Sequence, residues 1–103
     1  MVKIVVLYGQ PSDPSAFEAH YANTHGPLVA KMPNVRRFEA SRVVGTADGS
    51  EPPYYRLAEI WFDSHEDLQA STSSPEGQAT VADIGNFATG GATVLIAEVD
   101  QAA

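Results

Sequence analysis

Phe17, Tyr21, His25 and Leu28 stand at offsets of four, eight and eleven, a spacing that puts the first three on one face of an ideal helix and the fourth close by. His25 therefore looks inward. Just ahead of Gly26-Pro27, where the helix is expected to stop, unpaired carbonyls favour the imidazolium and poise the ring as a proton donor. Spacing leaves a second reading open, in which His25 only caps those carbonyls. Tyr21, one turn earlier, offers a phenol that can hydrogen-bond a substrate oxygen.

Asp83 lies between Val81 and Ile84 and one turn before Phe87, so its carboxylate approaches the apolar side of a helix and needs a partner there. His25 or an arginine can supply one; a solvated acid is the plainer alternative. His20 and His25 are five apart, about 140° around a regular helix, so they do not share a metal ion. No metal site is expected. His65, beside Glu66 and Asp67 at a helix start, reads as solvated and is given no role. Glu59 and Glu98 interrupt apolar strands, where Arg37, Arg42 and Arg56 are available as structural partners.

Aromatic residues are the other resource. Tyr8, Phe17, Trp61 and Phe87 are candidates to wall a cleft for a flat apolar ligand between sheet and helices. The chain has no phosphate-gripping glycine loop, G-x-S-x-G elbow or dinucleotide fingerprint, so no cofactor is expected.

These groups must be positioned by a chain of 103 residues, the size of one domain, here taken as 1–103. The absence of cysteine removes disulfides, thiolate nucleophiles and cysteine-based zinc sites. The net charge is −7, from 6 basic and 13 acidic side chains, which makes nucleic acid a poor partner. Ile4 to Leu7 is too short for a signal-peptide core, and no apolar stretch spans a bilayer, so a cytoplasmic home without membrane attachment is expected.

Val2 to Tyr8 reads as a first strand. Asp13-Pro14 opens a helix running through His25, with a short turn from Leu28 to Met32 after it. Strands follow at Val35 to about Val44 and at Tyr54 to Phe62, joined by the Gly- and Pro-rich loop from Gly45 to Pro53. Ser64 and Asp67 have capping-box spacing and Ser74-Pro75 repeats the cap-then-proline pattern, giving a broken helix pair from 65 to about 85. Gly90-Gly91 leads into a last strand, Ala92 to Val99.

That order, βαββαβ, is the ferredoxin-like α+β arrangement: a four-stranded antiparallel sheet with both helical segments on one face. Apolar residues occur on both faces of the strands, so the open face also needs cover. A second copy, sheet against sheet about a twofold axis, supplies it, and a homodimer is expected.

Phe17-x-x-x-Tyr21-x-x-x-His25-x-Pro27-Leu28 after a Val-Leu-Tyr strand resembles the EthD family of dimeric α/β-barrel proteins. The likeness continues through Arg36-Arg37-Phe38, Tyr54-Tyr55-Arg56-x-Ala58-Glu59-x-Trp61-Phe62, Ser74-Pro75-Glu76-Gly77, Asp83, Asn86-Phe87 and Gly90-Gly91. It implies a ferredoxin-like subunit whose sheet joins that of a second subunit in a barrel, with a ligand cleft between sheet and helices. Members of the family are associated with ether degradation and with aromatic or polyketide metabolism. Relatives that share the fold include cofactor-free monooxygenases, cyclases and lactone isomerases.

The resulting expectation is a small cofactor-independent enzyme, oxidoreductase- or isomerase-like, acting on an apolar cyclic or aromatic molecule in catabolic or secondary metabolism. His25 is its general acid or base, Tyr21 holds a substrate oxygen and Asp83 orients the imidazole. Two alternatives stand beside it: a non-catalytic dimer that binds a metabolite or assists an oxidative pathway, and an interaction domain with a solid core.

Overall fold

The computed structural model describes residues 1–102. β1 (Val2–Gly9) runs between β3 (Tyr54–Phe62) and β4 (Ala92–Glu98), and β2 (Arg37–Arg42) borders β3, giving an antiparallel sheet of order β2-β3-β1-β4. After β1 come α1 (Pro14–His20), a π-helical turn (Tyr21–His25) and α2 (Gly26–Ala30); after β3 come α3 (His65–Ser73) and α4 (Pro75–Phe87). This is the ferredoxin-like α+β fold. Among the described residues no helix is long and apolar enough to cross a membrane.

Local chemistry explains the boundaries. The side chain of Asp13 accepts from Ala16 N–H at 3.2 Å, with Pro14 at the first helical position. Ser64 accepts from Asp67 N–H at 3.1 Å and Ser74 from Gly77 N–H at 3.0 Å. Each cap satisfies an amide that the first turn leaves free. Gly77 is also where α4 meets α3, because a Cβ there would run into the carbonyl of Ser71.

Strand alternation divides the sheet. Val2, Ile4, Val6 and Tyr8 of β1 and Ala58, Ile60 and Phe62 of β3 turn toward the helices and are buried with Phe17, Val29, Leu68 and Phe87. Lys3, Val5, Leu7, Leu57, Glu59 and Trp61 turn the other way and are only half-buried. Leu95 of β4, in register with Val5, extends this second face and is exposed. The open face is thus apolar with ionic pairs set into it, as alternation along the strands implies.

Three sequence expectations need correction. Gly26-Pro27 does not stop the first helix, which continues to Ala30 through the π turn closed by Gly26 N–H on Tyr21 C=O. Pro27 has no N–H to donate, and in a regular helix its ring would strike the carbonyl four residues back; the wider turn just before it relieves that collision. The strand acids also choose other partners. Glu59 binds Lys3 at 2.8 Å and Glu98 binds His65 at 2.7 Å, while Arg37 pairs with Glu39 and Arg56 with Glu18. Finally, Trp61 walls no cleft: it lies on the open face, with Lys3 and Arg37 cations 5.3 and 5.0 Å from its ring.

Candidate functional site

Between the sheet and the helices lies a cavity of about 290 Å³ whose walls are mostly branched aliphatic, among them Ile4, Ile60, Ile84, Val94 and Ile96. Val94 and Ile96 are exposed, which puts the opening of this space at the β4 side. Tyr8, Tyr21 and His25 supply its polar end. A cavity with this lining suits a small apolar molecule carrying one polar group.

His25 is 3% exposed and Asp83 6%. The imidazole Nδ1 is 2.9 Å from Asp83 Oδ2, so the ring binds a carboxylate and not the carbonyls of a helix end. Because the helix continues past it, the dipole argument for an imidazolium fails, and burial dominates instead. Burial lowers the His25 pKa below its ordinary value, and the hydrogen bond and charge of Asp83 do not overcome it. For Asp83, burial pushes the carboxyl up, but hydrogen bonds from Asn86, His20 and His25 outweigh it and leave the group more acidic than usual.

The tautomer follows from these two shifts. An ionised carboxylate only accepts, so Nδ1 of a neutral His25 carries the hydrogen and Nε2 carries the lone pair. With Nδ1 committed to Asp83, Nε2 is the ring atom left for a ligand in the cavity. A ring in this state can accept a proton at Nε2, where the helix-end reading had put a donor.

His20 completes the cluster, and regular helical spacing had set it apart from His25. Its Nε2 lies 2.9 and 3.0 Å from Asp83 Oδ1 and Oδ2. The π turn makes this meeting possible, since a helix with i→i+5 bonding returns the sixth residue to the face of the first. The deviation left one trace in the sequence, a proline seven residues after His20. Among the described residues no three carboxylate or imidazole groups are arranged to hold a metal ion.

The aromatic residues divide between two layers. Tyr8 and Tyr21 border the cavity, edge to face at 5.8 Å. Burial is the leading cause that pushes both phenols up, so both stay protonated and able to donate. The Arg56 guanidinium, 4.9 Å from the Tyr21 ring, works against that rise. Phe17 and Phe87 lie one layer back. Phe17 stacks on Tyr21 at 5.8 Å, and the Phe87 ring lies 4.7 Å from His25 and 5.1 Å from His20, so these phenylalanines support the site and do not line the cavity.

The chain matches the EthD domain model over residues 9–91. It is 41% identical to an 11.0 kDa protein from the thcB–thcC intergenic region of Rhodococcus erythropolis, over 95% of this chain and 94% of that one. An EthD family protein from Bacillus halodurans, known as a crystal structure, is 42% identical with a TM-score of 0.90, covering 95% of this chain and 97% of its own. SnoaB from Streptomyces nogalater, a cofactor-independent oxygenase, shares the fold at 13% identity and a TM-score of 0.71, over 98% and 94% of the two chains. Agreement of the family model and of close relatives along nearly the whole length means that this chain belongs to the EthD family.

Proposed function

We propose that the protein is a small cofactor-independent enzyme that performs acid–base chemistry on an apolar, cyclic or aromatic molecule. The observation that carries this reading is the His25 imidazole, tied to Asp83 through Nδ1 at 2.9 Å and bordering a largely aliphatic cavity. Nε2 of His25 takes a proton from the substrate, Asp83 stabilises the imidazolium that forms, and Tyr21 donates to a substrate oxygen as charge develops on it. An oxygenase that works without a cofactor on the same fold supports this reading by analogy. The apolar open face, with Val5, Leu7, Leu57, Trp61 and Leu95, supports a homodimer formed sheet to sheet. The cytoplasmic setting rests on the sequence.

Two readouts test this whatever the product is. Incubating the protein in deuterium oxide with a panel of cyclic ketones, phenols and quinols, under air and under nitrogen, reads proton abstraction as deuterium uptake and oxidation as oxygen consumption. Activity that disappears in His25→Ala, with melting temperature preserved, supports the reading. Turnover that survives the substitution overturns it. Saturable binding that persists without His25 and without any turnover identifies a holding module instead.

A further inference from the structure

Two imidazoles on one carboxylate are more than a buried histidine needs. Asp83 accepts from His25 on Oδ2, from His20 on both oxygens and from Asn86 on Oδ1 at 3.0 Å. His25 on Oδ2 and Asn86 on Oδ1 already fix the plane of the carboxylate, and a third donor reaching both oxygens divides its charge further. The His20 side chain is 28% exposed and that of His25 4%, so the outer ring meets solvent and the inner one the cavity. Phe87 lies against both rings and keeps them in place.

We propose that His20 is a positioning residue that acts through Asp83: by donating from Nε2 to the carboxylate it takes up part of the charge that would otherwise fall on Nδ1 of His25, and so sets how basic Nε2 of His25 is. This deepens the proposed function, because it concerns the same base. The alternative is a purely mechanical tie between α1 and α4. The charged or titratable groups near the pair are Asp83 from α4, Tyr21 from the π turn with Arg56 of β3 over its ring, Tyr8 from β1, and Asp13 ahead of α1 in the recess that His20 borders, with Asn86 as a neutral donor from α4.

The two roles separate by NMR of the intact protein labelled with nitrogen-15 in histidine, with no ligand added. His20→Leu removes the donor and keeps the bulk; His20→Gln keeps an amide donor that cannot ionise. If His20 shares the charge of Asp83, His20→Leu leaves a larger part of it to His25, with Asn86 still in place, and raises the pKa of that ring by about one unit. His20→Gln, which still donates, returns the His25 pKa most of the way to its native value, with Nδ1 protonated in every variant. A His25 titration that is unchanged or lowered in His20→Leu, or a melting temperature that alone responds, overturns the proposal. Because the readout is the resting ring, this result stands apart from whether any substrate is turned over.

Discussion

His20 and His25, five residues apart, meet on one oxygen of Asp83 at 3.0 and 2.9 Å. A chain with no cysteine thereby builds an ordered polar group at the end of an aliphatic cavity, and Asp83 is its centre. Burial alone makes an isolated imidazole a poor base, while a fixed carboxylate behind Nδ1 recovers part of that basicity at Nε2.

Asp83→Asn keeps the shape and removes the charge. The amide can accept from one ring but turns N–H groups toward the other, so about 1–3 kcal/mol of stability is lost. The pKa of His25 should fall further, since Asp83 is what raises it. Thermal unfolding and a histidine proton titration read the two effects separately, and a rise in the His25 value would refute the assignment.

Stability should decline as pH is lowered, in two stages. His25 has a folded pKa below its unfolded value of 6.5, so below 6.5 the unfolded chain binds a proton that the folded chain refuses. Unfolding is then favoured increasingly until the folded ring titrates as well. Asp83, depressed from 3.8, adds a second decline below that pH, lost as the folded carboxyl takes up its proton. Melting temperature measured from pH 8 to 2 should be flat at the top of the range, and His25→Phe should remove the first stage and weaken the second, since one of the bonds that keep Asp83 acidic goes with the ring.

The cavity should take an uncharged probe. Benzene or xenon, which enter dry apolar cavities, should shift the methyl resonances of Ile4, Ile60 and Ile84 saturably and leave Leu7 and Leu57 on the opposite sheet face unmoved. Shifts confined to the open face would place the binding space elsewhere.

Leu57→Arg puts a charge into the open face without touching the helix side. Sedimentation should show a dimer for the native chain and a monomer for the variant, since a buried unpaired charge is expensive. The His25 titration should be the same in both, which tests whether the site is complete within one subunit.

Order and type of the elements were legible because each is written in local chemistry, as at Asp13-Pro14, Ser64 and Ser74-Pro75. Asp83 was legible from its apolar neighbours Val81 and Ile84. Of its two ring partners, His25 was among the options the sequence offered, but His20 was not, because one hundred degrees per residue is a poor ruler across a π turn. The sheet-face position of Trp61 could be had from alternation with Ile60 and Phe62, and placing it in the cleft set that alternation aside. Glu59 finds Lys3 across a diagonal of the β1–β3 register, with Val5 opposite Glu59 and Trp61 opposite Lys3. Register of that kind depends on strand pairing, which no single strand encodes.

The π turn has a consequence for how this segment can change its length. An ordinary α turn brings residues four apart to one face, much as this wider turn does for residues five apart. Loss of one solvent-facing residue, such as Asn23, would therefore leave both rings able to reach the same acid, provided that Pro27 were also replaced. Homologous chains one codon shorter here can carry an equivalent arrangement, and a rigid count of positions between the histidines would overlook it.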